Sequence, residues 1–247
     1  MGFKEDFASY LTIDGYASPE QIEPGTIRSC DNETMYTSEM YIAMQKNGLA
    51  VQADLDKWEQ LMDKSMIVPG LTVRAPGDTA IDAPDNIYGI LAASKILNKP
   101  QVAYSILQYG FYNLGFFNTS NPNHIKNSDG SWNWPSMQWR QLQMAFASYT
   151  ASGMYKFWKF WLWPIMIYTG LAIAVSCVNT NTSDTDSRRL CWLLIQATQE
   201  DSWFCRMMAK IWFNRLYKDY GPTGMKAVAS IYYNPKPANA FSTWWIN

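Results

Sequence analysis

Between Glu33 and Met66 the apolar residues fall into two helical periods separated by one glycine. Tyr36, Met40 and Met44 recur every fourth residue, and Gly48 supplies a stop. In VQADLDKWEQLMDKSM, residues 51–66, Leu55, Trp58, Leu61 and Met62 form one stripe, with Asp54, Asp56, Lys57 and Asp63 off it. So short a gap predicts an antiparallel pair. The arrangement recurs in DNIYGILAASKILN (85–98) and PQVAYSILQYGFYNLGFF (100–117), a second helical pair. Pro100 suits a first helical position, although Lys99 before it is a poor cap. Between the pairs lies a loop rich in Pro and Gly, 67–84, with a short strand expected at Leu71–Arg74.

A long polar loop, 118–136, precedes a further helix in MQWRQLQMAFASYTAS (137–152), with Trp139, Leu142 and Phe146 on one face. Loops of this length in a compact domain are uncommon and usually functional or mobile. An apolar helix is expected over 155–178, then a polar break at 179–187, helices at 188–199 and 201–220, and a last one at 224–233. Gly221 and Pro222 end the helix before it. The total is about nine helices with hardly any strand alternation. The expected fold is therefore all-α, an array of antiparallel helical hairpins repeating at roughly 40–50 residues. It forms one domain over 1–247, with an irregular arm at 1–30 and an ordered tail at 236–247.

One segment competes with that reading. Residues 160–178, FWLWPIMIYTGLAIAVSCV, carry no charge and reach the length of a membrane span. Pro164, Thr169, Gly170 and Ser176 interrupt it, and a helix apolar all round also occurs at the centre of a large bundle. The buried helix is the expectation, an integral membrane protein the third reading, and a membrane partner is not expected.

Charge and cysteine usage exclude several classes. With 20 Lys+Arg against 21 Asp+Glu there is no basic stripe to replace counterions along phosphates, so no nucleic-acid partner is expected. Cys30, Cys177, Cys191 and Cys205 are far apart and His124 is the sole histidine. That leaves no zinc spacing, and a Ser-His-Asp relay only if His124 serves it. No metal and no other cofactor is expected. The first residues lack a basic start followed by an apolar run, so no secretory signal is expected.

The acids at helix starts admit two readings. On a helix beginning near Glu33, Tyr36 shares a face with Glu33 and with Glu39, while Asp31 precedes the first turn. An acid beside a tyrosine suits proton transfer to a leaving oxygen. Asp31 and Glu33 equally suit the free N–H groups and dipole of a helix start, and Glu39, deeper in the helix, reads as solvent-facing. In AIDAPDNIYG, Asp82 lies near the cap, Pro84 suits the first position, and Asp85 falls in the first turn, with Tyr88 following. Asp-Asn pairs thus open two helices, Asp31-Asn32 and Asp85-Asn86. In a hairpin array such starts share one rim, where two acids flanking a cleft would meet the glycosidase requirement.

The chain holds 12 Trp, 15 Tyr and 11 Phe. Most suit a large aromatic core. Trp132, Trp134 and Trp139, beside Arg140 and Gln141, crowd a loop and the helix it enters, where indoles and polar donors suit sugar rings or a protein partner. His124 in the same loop reads as a solvated side chain, with proton transfer as its chemical option.

The helical hairpins, the DNETMYTSE and APDNIYG helix starts and the WNWPSMQWRQ entry resemble α/α-toroid carbohydrate-active proteins, glycoside hydrolases and polysaccharide lyases among them. A broader architectural likeness takes in helical proteins of tailed bacteriophages, carried by no particular residue. The resemblance implies an incomplete α/α toroid, since a complete six-hairpin ring needs a longer chain. It carries over Asp31, Glu33 and Asp85 as acids, while the near absence of histidine disfavours lyase chemistry. Two functions follow as expectations. One is a structural or binding protein of a bacteriophage virion, found in the virion or host cytoplasm, whose partners are assembly proteins or a glycan. The other is a glycoside hydrolase using an acid pair among Asp31, Glu33, Asp82 and Asp85, with the tryptophans gripping the sugar.

Overall fold

The computed structural model of the chain describes residues 33–76, 78, 84–113, 115–117, 129 and 139–154, with the backbone alone at 84, 85, 139–143 and 146. These residues are mainly helical: α1 (Glu33–Lys46), α2 (Gln52–Lys64), α3 (Pro84–Ile96), α4 (Pro100–Tyr112) and α5 (Trp139–Ala151), with one small hairpin of β1 (Met66–Val68) and β2 (Leu71–Thr72). The expected arm at 1–30, the loop at 118–136 apart from Asp129, and every element expected beyond 154 lie outside the described residues. That includes 160–178. Among the described residues, no helix is long and apolar enough to cross a membrane.

Local chemistry accounts for the helix ends. Helix α1 stops at Gly48, whose φ of 65° is the left-handed conformation that a glycine adopts without steric penalty. Helix α2 opens with half a capping box, the Asp54 carboxylate accepting from the Val51 N–H at 3.0 Å. Pro100 takes the first turn of α4, and Lys99 caps nothing with its side chain. Helix α4 ends at Tyr112, not at 117 as the apolar run suggests. The chain turns back there, Gly115 N–H donating to the Gly110 carbonyl at 2.7 Å. This folds the Phe117 ring over Gly110, where any β-carbon would collide with it.

The hairpins stack in register. Helix α1 packs against α2 and α3, α3 against α4 and α5, and α4 also against α2 and α5. Thr34 and Asn86 bring the starts of α1 and α3 together, and an open cleft between Gln45 and Leu97 joins their ends, so the two run the same way. Helices α2 and α4 return in the opposite sense. Among the described residues the core is a single cluster that includes Ile42, Trp58, Leu61, Ile87, Leu91, Ile106 and Met144. Gly89 permits a close approach of α1 and α3 within it, since a β-carbon there would sit 3.0 Å from Met35 Cα.

The strand expected at 71–74 has an antiparallel partner that the sequence did not betray, pairing Met66 with Thr72 and Val68 with Leu71. The hairpin ties α2 to α1. Val73 N–H donates to the Ser65 carbonyl at 2.8 Å, and Thr34 N–H to the Arg74 carbonyl at 3.0 Å.

Candidate functional site

The two helix starts singled out by their acids do meet. Asn86, in the first turn of α3, accepts two hydrogen bonds at its Oδ1, from Thr34 Oγ1 at 2.9 Å and from Met35 N–H at 3.0 Å. The Met35 N–H is one of the donors a helix start leaves without an intrahelical acceptor. The Arg74 carbonyl occupies the neighbouring Thr34 N–H. Both of these donors of α1 are thus answered by groups 40 or more residues away in sequence, through a main-chain carbonyl and an amide.

Around this junction the polar side chains are enclosed. From Glu33 to Ala43 every residue of α1 is buried, including Thr34, Thr37, Ser38 and Glu39, and from Asn86 to Ser94 every residue of α3 is buried as well. Glu33 retains 8% exposure, Tyr36 5% and Tyr88 3%. Glu39 retains none, which corrects the solvent-facing expectation. Over this stretch α1 is an interior helix, packed against both α2 and α3. Burial, with the Asp54 carboxylate second, pushes the Tyr41 hydroxyl up to about 12. On the other flank Trp58 Nε1–H donates to Ser38 Oγ at 3.2 Å, and that hydroxyl points on to Met62 Sδ at 3.7 Å.

The remaining sequence-derived positions divide in two. Asp85 is the residue before Asn86 in the first turn of α3, and Trp139, Arg140 and Gln141 open α5, all four being described by backbone only. Asp31, Asp82, Trp132, Trp134 and His124 lie outside the described residues. Among the described residues there is no group of three or more His, Cys, Asp or Glu able to hold a metal ion.

Sequence reasoning missed the role of Asn86 and of Lys99. Asn86 was legible only as half of a repeated dipeptide. Lys99, read as a poor cap, extends its ammonium to Asp56 Oδ1 and Glu59 Oε2, each at 2.7 Å. The signal for it was the i, i+3 acid pair Asp56/Glu59, which marks a spot on α2 suited to one cation. Hydrogen bonds from Lys99 and Gln52 hold the Asp56 carboxyl below its ordinary value, and those to the two acids raise Lys99 above its own. Comparison with protein-family models, curated proteins and solved structures gives no match.

Proposed function

We propose that the chain is a structural or binding protein whose stacked hairpins continue as an incomplete α/α toroid and whose helix-start polar groups serve assembly of the scaffold rather than turnover. The observation that carries this is the junction at Asn86. Its amide is committed to Thr34 and Met35, and Tyr36 and Tyr88 beside it are buried, so these tyrosines offer no open surface to a sugar. Placement in a bacteriophage virion, with assembly proteins or a glycan as partner, rests on the architectural likeness alone.

A glycoside hydrolase is the second reading, favoured by one observation. The helix starts that bear Glu33 and Asp85 converge, as a pair of acids drawn from distant segments requires. One experiment separates the two. The purified chain is incubated with a panel of polysaccharides and new reducing ends are measured, alongside Glu33→Gln and Asp85→Asn variants. The structural reading expects no turnover and unaltered assembly in both variants. Glycan cleavage that vanishes in either variant, with circular dichroism unchanged, establishes the hydrolase.

A further inference from the structure

At the end of the hairpins remote from the helix-start junction lies an open cleft of about 460 Å³. Gln45 reaches it from the end of α1, Gln52 from the start of α2, Asn98 from the α3–α4 turn and Gln101 from the first turn of α4. Leu55 and Leu97 contribute apolar surface. The volume falls within the range that accommodates small organic ligands.

The cleft is held in shape by its own turn. Asn98 takes a φ of 56°, Lys99 N–H donates to the Ser94 carbonyl at 2.9 Å, and Ser94 Oγ donates to the Lys99 carbonyl at 2.6 Å. The Lys99 ammonium is already engaged by Asp56 and Glu59, and this trio carries one surplus negative charge (one cation against two carboxylates). An anionic ligand would meet that surplus and find no uncommitted cation in the trio. The amides of Gln45, Asn98 and Gln101, by contrast, each offer a donor and an acceptor side by side, as hydroxyl groups do, while Gln52 Nε2 donates to Asp56 Oδ1 at 2.8 Å.

Gln101, which lines the cleft, also begins an exposed stripe of α4. Gln101, Tyr104, Gln108, Phe111 and Tyr112 are all exposed and fall on one side of the helix, opposite the buried Val102, Ala103, Ile106 and Gly110. The stripe runs roughly 16 Å at the helical rise. No residue of α4 carries a charge. Gln108 Nε2 donates to the Tyr104 hydroxyl at 3.0 Å. At the far end Phe111 and Tyr112, 77% and 76% exposed, stand edge to face with ring centroids 5.9 Å apart.

We infer that the cleft and the α4 stripe form a binding track for a neutral oligosaccharide. Its hydroxyls exchange hydrogen bonds with Gln45, Asn98 and Gln101, and its C–H faces lie on Tyr104, Phe111 and Tyr112. The amides fit hydroxyls as donor and acceptor at once, the exposed rings fit sugar faces, and the uncharged helix between them fits a ligand without charge. The track stands independently of the helix-start junction, so either assignment can fail alone.

The test is calorimetric titration of the full chain with maltohexaose, cellohexaose and the fully N-acetylated chitohexaose, and with hexagalacturonate as the charged comparison. Saturable binding of at least one neutral hexamer, with none of hexagalacturonate, is expected. The double variant Gln45→Ala/Gln101→Ala should weaken that binding about tenfold. Phe111→Ala/Tyr112→Ala should weaken it several-fold, with circular dichroism unchanged in both because all four side chains are exposed. Failure of all three neutral hexamers to bind at millimolar concentration overturns the inference, as does binding that both variants leave intact. Sedimentation showing that Phe111→Ala/Tyr112→Ala dissolves a self-associated species would give the stripe to a second copy of the chain, and also overturns it.

Discussion

Helices α1 and α2 are neighbours in sequence and nearly equal in length, yet the fold treats them oppositely. Helix α2 buries one stripe, Trp58, Leu61 and Met62, and turns Asp63, Lys64 and Gln60 to solvent. Helix α1 is enclosed through its first eleven residues, five of them polar or charged. The same contrast separates α3, enclosed from Asn86 to Ser94, from α4 with its exposed stripe. A polar residue on an outer helix is free to meet solvent or a ligand. On an inner helix it needs an internal partner, because burying an uncompensated hydroxyl or amide costs about 1–3 kcal/mol. The inner polar groups are therefore enclosed with their partners, while the outer ones face solvent.

The comparison can be broken first at the bolt between the layers. Trp58 belongs to an outer helix but is fully buried and bonded to Ser38 of the inner one. Trp58→Ala should destabilise the protein by about 3–5 kcal/mol in denaturant unfolding, through the cavity and the lost Ser38 contact. A cost below 1 kcal/mol would separate the layers energetically.

The inner crossing comes next. Asn86→Ala removes the acceptor shared by Thr34 and Met35 and should cost about 1–3 kcal/mol. Gly89→Ala should cost a similar ~1–3 kcal/mol through overpacking against the Met35 backbone, despite the ~1 kcal/mol that alanine gains in a helix. A more stable Gly89→Ala protein would show that α1 and α3 are not tightly crossed.

Tyr41 gives the pH arm of the comparison. Its folded value of about 12 lies above the ordinary 10.0, so the neutral buried hydroxyl supports the fold fully below pH 10. That support is lost as pH rises through the folded value. Tyr41→Phe should reduce the loss of stability between pH 10 and 12 by on the order of 2 kcal/mol, measured against the parent chain by unfolding at each pH. Equal alkaline slopes would mean the hydroxyl reaches water. The smallest effect belongs to the outer surface, where Gln60→Ala should stay within about 0.5 kcal/mol of the parent.

Much of the helical framework was legible in the sequence. The stop at Gly48, the start at Pro100 and the stripe of α2 follow from local chemistry, and each lies within a residue or two of its expected place. Helix α4 is the exception, because Phe116 and Phe117 continue the apolar run while the turn near Gly115 folds them back. The site was less legible. The repeated Asp-Asn pairs pointed to helix starts that share a rim, and Thr34 and Asn86 join two of them. What the residues do there was hidden: Glu39 reads as solvent-facing in the sequence and is fully buried in the fold.

Among the described residues, sequence by itself determined the stop of α1, the stripe of α2 and the start of α4, because apolar period, glycine stops and proline starts act within a turn or two of the chain. Only the tertiary structure decided which helices are inner. That choice depends on partners far along the chain, Asn86 for Thr34 and Trp58 for Ser38. A polar side chain becomes tolerable in a core only when such a distant group arrives to bond it.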